Sequence, residues 1–210
     1  MKIIFATKNP GKMTEIRSIM GDGYEVLSMS DAGLDPVIVE NGETFEENAL
    51  IKVRAIGRQE DAVVLAGDSG LCIDALGGDP GVHSARWLGE DTDYIVKNRA
   101  VLDLMAAYVG EERNAHYACV IAALFPDGSE ECCEARMEGR IADAPSGEGG
   151  FGFDPIIFLP EFGKTVAEIS LEEKNKISHR GLALEKMKEI IEKRCRSEKN
   201  DEEEDESAHG

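Results

Sequence analysis

The sequence predicts an α/β fold built on a mixed β-sheet, as one domain over residues 1–196 followed by an acidic tail over 197–210. Three observations carry this reading. Apolar runs of strand length alternate with segments of helical spacing through the first half. A later pair of β-compatible segments flanks a turn signal and brings antiparallel strands into the sheet. The chain has 210 residues and 42% hydrophobic content, enough for one substantial core.

Lys2 to Thr7 reads as a buried strand running into a loop, and Met13, Ile16, Ile19 and Met20 then recur at helical spacing. Thr44 followed by Glu47 matches a capping box, after which Phe45, Ala49, Val53 and Ile56 line one face of a helix ending near Gly57. Val63 to Ala66 is a second buried strand, expected to stop at the GDSG of 67–70. Gly77, Gly78, Pro80 and Gly81 make a tight loop, and Ile95, Asn98, Leu102 and Met105 mark another helix. Ala115 to Phe125, the turn-forming PDG and residues 130–140 form a hairpin. A Gly-rich loop, PSGEGGFGFDP, leads to a short strand at Ile156 to Leu159, and Leu184, Met187 and Ile191 define the C-terminal helix. No internal repeat is present, and the only low-complexity segment is the tail.

Composition excludes several classes of function. Lys and Arg total 23 against 42 Asp and Glu, a net charge of -19 that repels a phosphate backbone and argues against nucleic-acid binding. The last 14 residues supply -6 of this charge and read as disordered. No run approaches the roughly 18 apolar residues of a membrane span, and the N-terminus resembles a strand rather than a signal peptide. The five cysteines are odd in number and lack C-x-x-C spacing, so neither a disulfide framework nor a zinc site is expected. A reducing cytoplasm fits best. A chain so acidic that handles polyphosphates must gather its few cations at one spot, and usually needs a divalent metal.

Four segments carry candidate chemistry, each with a plainer alternative. In TKNPGK, Thr7 to Lys12, a strand-to-helix junction offers backbone amides, a hydroxyl, a glycine and two lysines to a phosphate; the alternative is an ordinary turn with solvated lysines. It is not a Walker A loop, because Met13 follows Lys12. In GDSG, Asp68 can hold magnesium or take a proton from water and Ser69 can donate to a phosphate oxygen; the alternative is an Asx turn. In GEGGFGFDP, the G-x-G-x-x-G at Gly147, Gly149 and Gly152 lacks the strand before and helix after that a dinucleotide fingerprint needs. The loop instead presents Phe151 and Phe153 to a base and fixes Asp154, or is only a linker. In EEKNKISHR, Lys174, Lys176, His179 and Arg180 form a cluster that donates but hardly accepts, or a solvated helix start. A donor set favours purines with O6 over adenine, whose amine would leave the donors unpaired.

Together these segments resemble the inosine/xanthosine triphosphate pyrophosphatase family, the XTP/dITP diphosphatases. The resemblance runs from Lys2 to about Ile191 through FATKNPGK, ENGETFEENALIK, GDSGLCIDALGGDPGVHSAR, GGFGFDPIIF and EEKNKISHRGLAL. It implies an elongated two-lobed α/β fold with a long mixed sheet, a central cleft and a homodimer, acting with Mg2+ on ITP, dITP and XTP. It implies that Thr7, Lys8, Asn9, Pro10, Gly11 and Lys12 contact the triphosphate. It makes Asp68 the proton acceptor and, with Glu40, a metal ligand. Ser69, Phe151, Gly152, Phe153, Asp154, Lys174, His179 and Arg180 would contact substrate, with Lys174, His179 and Arg180 reading the base. The chain departs from the family pattern at Gly67 and Val39, where relatives commonly carry acids, at Phe153, where Tyr or Trp is usual, and at His83, where Tyr is common. Three other readings stay open: a pyrophosphatase of pyrimidine or modified nucleotides, a nucleotide-binding module without catalysis, and an oxidoreductase resting on the lone glycine pattern.

Overall fold

The computed structural model describes the backbone of residues 1–208 and the side chains of residues 1–197. Seven strands form one sheet in the order β2-β1-β3-β4-β5-β6-β7. They are β1 (Lys2–Phe5), β2 (Glu25–Ser28), β3 (Ala62–Ile73), β4 (Asn114–Leu124), β5 (Glu130–Ile141), β6 (Ile157–Leu159) and β7 (Lys164–Thr165). Strand β1 is parallel to β2 and β3, and every other pairing is antiparallel, so the sheet is mixed. The helices are α1 (Pro10–Met20), α2 (Phe45–Ile56), α3 (Tyr94–Leu104), α4 (Leu171–Ile177) and α5 (His179–Ala208). The expected acidic tail lies largely outside the residues whose side chains are described; α5 runs on into it. Among the described residues no helix is long and apolar enough to cross a membrane.

Three apolar clusters divide the molecule. On one face of the sheet α1 and α5 pack Met13, Ile16, Leu184, Met187 and Ile191 against Ile3, Leu65 and Ile121. On the other face α2 packs Ala49, Val53 and Ile56 against Val64, Ala66 and Ala122. The third cluster surrounds the far halves of the long strands, with Leu71, Ile73, Tyr117, Met137, Val101 and Ile157. Strands β3, β4 and β5 contribute residues to all three clusters, which is why three packing centres belong to one sheet. The capping box at the head of α2 forms as expected: Thr44 accepts from the Glu47 amide at 3.1 Å and Glu47 accepts from the Thr44 amide at 3.2 Å.

GDSG does not stop a strand. Gly67 to Gly70 continue β3, paired with Ile121 to Ala118 of β4, because a long antiparallel neighbour supplies the ladder that local turn preference would break. Gly70 has a packing reason to lack a side chain: a Cβ there would stand 2.2 Å from the Gly81 carbonyl and 2.6 Å from Ser84 Oγ. The loop crossing at that point is tied down by Leu71 N donating to Ser84 Oγ at 2.9 Å. The periodicity around Ile95 marks a real helix whose inner face holds Asn98, Leu102 and Met105 as expected; Ile95 itself is exposed, and Lys97 and Val101 also point inward. Strands β2 and β7 and helix α4 went unread, being four, two and seven residues long. Ser170 with Glu173 nevertheless forms a full capping box ahead of α4.

Candidate active site

The last rung between β1 and β3 is Ala6 N donating to Leu65 O at 2.7 Å. Beyond it β3 continues without β1 beside it, and Gly67 and Ser69 on its edge border a cavity of about 290 Å³. Thr7, Lys8 and Lys12 line this cavity from the β1–α1 junction, Glu40 and Lys52 from the α2 side, Ser69 from β3 and Arg180 from α5. Elements far apart in the chain thus meet where one parallel strand ends and the next goes on.

At the β1–α1 junction the chain caps its own helix. Asn9 Oδ1 accepts from Lys12 N at 3.1 Å, Thr7 Oγ1 accepts from Asn9 N at 3.2 Å, and Met13 N donates to Asn9 O at 3.1 Å. Pro10 has no amide proton, so Gly11 carries the one first-turn amide that none of these bonds uses. The expected phosphate cradle is therefore mainly side-chain. Burial lowers the Lys12 pKa from its ordinary value, aided by Arg180 and Lys52 nearby and opposed by Asp68. Lys8 makes an exposed ion pair with Asp35.

Strand alternation separates the chemistry of GDSG. Asp68 shares the α2-facing side with Val64 and Ala66, whereas Ser69 lies on the side of Leu65. Lys52 Nζ donates to Asp68 Oδ1 at 2.9 Å and to the Gly67 carbonyl at 3.1 Å, and forms an ion pair with Glu40 Oε2 at 2.6 Å. Asp68 Oδ2 is buried and has no hydrogen-bond partner. Among the described residues no cluster of three or more His, Cys, Asp or Glu forms a metal site, so the candidate ligands are the pair Glu40 and Asp68. Lys52 was missed by residue-level reading. Its signal was a cation flanking the apolar stripe of Phe45, Ala49 and Ile56.

The second group of residues surrounds Asp154, which is 2% exposed. Its Oδ2 accepts from Lys174 Nζ at 2.6 Å and from Phe151 N at 2.8 Å, and its Oδ1 accepts from the Tyr117 hydroxyl at 3.2 Å. Gly150, with φ of +71°, allows this closure, since a Cβ there would be 2.1 Å from Asp154 Oδ2. Phe151 is half exposed, with Lys174 Nζ 4.3 Å and the Arg180 guanidinium 5.5 Å from its ring centroid. Phe153 does not present an open face. It is buried in the core, edge-on to Tyr94 at 5.3 Å, because the turn that exposes Phe151 directs the next aromatic inward. The Gly152 carbonyl accepts from Asn98 Nδ2 at 3.1 Å. No strand precedes the glycine pattern directly and only a 3-10 turn follows it, as the rejection of a dinucleotide fingerprint requires.

Helix α5 brings in the remaining residues. Arg180 forms a buried ion pair with Glu15, whose Oε1 has no partner. His179 stacks on Tyr117 at 4.7 Å and 14°, and its buried Nδ1 has no partner. Lys176 points away, paired with Glu172 on the surface. Of the cations that line the cavity, Lys8 pairs with Asp35, Lys52 with Glu40 and Asp68, and Arg180 with Glu15. Cys119 also lines the cavity, but burial pushes its thiol up to about 12, which leaves it no thiolate to act with.

Burial, helped by Arg180 and Lys174, holds the His179 pKa well below 6.5. The unfolded chain takes up this proton near pH 6.5 and the folded one does not, so stability falls as pH drops below 6.5. The expected loss is about 1.4 kcal/mol per pH unit. Denaturant melts of wild type and His179→Gln at pH 7 and pH 5 should show the smaller acid loss in the variant. Equal losses would remove His179 as the source.

The model of the Ham1 family matches residues 3–190. The chain is 51% identical over 188 residues to a dITP/XTP pyrophosphatase of Symbiobacterium thermophilum, covering 87% of this chain and 91% of that one. It is 44% identical over 190 residues to a dITP/XTP pyrophosphatase of Bacillus subtilis, covering 90% and 96%. The solved structure of the Staphylococcus aureus Ham1 protein superposes with a TM-score of 0.83 at 35% identity, covering 92% of this chain and all of that one. A Mycobacterium abscessus structure described as a nucleoside-triphosphatase or dITP/XTP pyrophosphatase gives 0.71 at 37% identity, covering 89% and 98%.

Proposed function

The chain belongs to the Ham1 family, and from that premise we propose that it hydrolyses deaminated purine nucleoside triphosphates, ITP, dITP and XTP, to the monophosphate and pyrophosphate. The observation that carries this reading is that Lys12, Lys52 and Arg180 line one cavity, with Asp68 held behind it by Lys52 and Arg180 also lying beside Phe151 of the second group. Phosphate and base can therefore be held by adjoining parts of one site.

The pair Glu40 and Asp68 fits a divalent cation. Two hard carboxylates meet at Lys52, and Asp68 Oδ2 is left without a partner. Mg2+ characteristically takes one or two carboxylates, several waters and the substrate phosphates. When bound, it would screen phosphate charge that cations already paired with carboxylates cannot meet alone. Val39 and Gly67 supply no further carboxylate. Asp68 orients a water for in-line attack on the α-phosphorus and takes its proton. The new P–O bond forms as the bond to the bridging oxygen breaks, and pyrophosphate leaves with the charge. Lys12, Lys52 and Arg180 meet that charge, with Thr7, Asn9, Gly11 and Ser69 as hydrogen-bond donors around it and Lys8 and Pro10 shaping the loop.

Base selection follows from what remains free on the other group. Lys174 is committed to Asp154 and Arg180 is given to the phosphate charge, so neutral His179, with its unpartnered Nδ1, is the side chain best placed to sense position 6. ATP is rejected there through its amine. GTP shares O6, so its rejection falls on the 2-amino group. A nucleotide panel with Mg2+, scoring pyrophosphate against orthophosphate, should give kcat/KM for ITP, dITP and XTP about 100-fold or more above ATP. Equal values would refute the reading, and orthophosphate as sole product would refute cleavage at the α-phosphorus. A cytoplasmic homodimer belongs to the same proposal; light scattering in solution tests the dimer.

A further inference from the structure

Tyr117 stands on β4, the central one of the three long strands, between Leu71 of β3 and Met137 of β5. It touches both arms of the base-binding region. Its ring lies under His179 at 4.7 Å with only 14° between the planes, and its hydroxyl donates to Asp154 Oδ1 at 3.2 Å. The other oxygen of Asp154 holds Lys174 and the Phe151 amide, so the hydroxyl contact orients the carboxylate that anchors the Phe151 loop. On the opposite arm, His179 Nδ1 makes no hydrogen bond, and the parallel stack is the contact that sets its ring plane. Burial keeps the Tyr117 hydroxyl protonated by raising its pKa well above 10, which makes it a donor throughout the working range.

We propose that Tyr117 is the positioning residue of the nucleobase pocket: its ring aims His179 and its hydroxyl aims Asp154, so both arms are referred to one rigid strand. This rests on the base-pocket reading given above. The division of labour is testable because ring and hydroxyl can be removed separately. Tyr117→Phe keeps the stack and drops the hydroxyl; Tyr117→Leu drops both.

The experiment measures KM and kcat for ITP and ATP with Mg2+ on wild type, Tyr117→Phe, Tyr117→Leu and His179→Ala. Tyr117→Leu should raise the ITP KM about tenfold or more, with kcat little changed and the ITP over ATP preference reduced, as expected for a misplaced recognition group. Tyr117→Phe should raise it about three- to tenfold, the equivalent of one hydrogen bond. A merely structural role would lower the amount of folded enzyme and hence apparent kcat, without moving KM or the ITP over ATP ratio. An ITP KM within twofold of wild type in Tyr117→Phe overturns the hydroxyl's role, and it decides alone should Tyr117→Leu not fold. Should His179→Ala leave the ITP KM unchanged as well, the base-pocket reading fails; a raised KM in His179→Ala with none in the Tyr117 variants sinks only the inference about Tyr117.

Discussion

Asp68→Asn is expected to retain the fold while losing about 10² to 10⁴ in kcat, the range of a positioned general base. Asparagine preserves the volume of the side chain and can still accept from Lys52 through its carbonyl oxygen. Lys52 also keeps Glu40 and the Gly67 carbonyl, so no cation is stranded in the interior. What disappears is the negative charge at Oδ2, the oxygen without a protein partner and therefore the one free to receive a proton or join a cation. Serine at 69 lies on the opposite side of the strand and does not replace it. The check is pyrophosphate release from ITP at saturating Mg2+, alongside a thermal melt. A variant that melts like wild type and releases pyrophosphate at a near-normal rate takes Asp68 out of the mechanism.

Such a site was only partly legible in the chain. Lys12, Asp68 and Arg180 could be nominated because each stands in a short segment whose residue types suggest phosphate or metal chemistry. The partners that make them work could not. Glu15 is a helix residue 165 positions from Arg180, and nothing local distinguishes it from any solvated glutamate. Tyr117 lies in a run of β-compatible residues where an aromatic ring is ordinary core material. Lys52 left a trace, because a lysine flanking an apolar stripe conflicts with helical patterning. Local preference likewise misjudged GDSG, where the sheet overrode turn chemistry, and Phe153, where a single turn separates a cleft aromatic from a buried one. Alternation of strands and helices, the hairpin around PDG and the Thr44 capping box were legible because their signals are periodic or short-range.

Lys174→Met carries the largest expected effect on stability, and its neighbour supplies the control. Lys174 and Asp154 are an ion pair with side chains only 6% and 4% exposed, at 2.6 Å. Methionine fills a similar volume but leaves the buried carboxylate with neutral donors alone, from Tyr117 and Phe151. Breaking a buried pair from one side typically costs about 3–5 kcal/mol, since the remaining charge has lost both water and counter-ion. For a chain of this length that lowers Tm by about 10 °C. Lys176 is two positions away in the same helix and also pairs with a carboxylate, that of Glu172, yet both members of the pair are open to water, at 69% and 82% exposed. Solvent already screens that pair, so Lys176→Met should melt indistinguishably from wild type. The two variants should separate in function as well. Lys174 underlies Phe151 and anchors the loop through Asp154, so its loss should raise the ITP KM, whereas Lys176→Met should leave kinetics untouched. Matching melts for both variants would mean that the Asp154 carboxylate gains enough from Tyr117 and the Phe151 amide to stay buried without a cation, and the loop would then be held by hydrogen bonds rather than by charge.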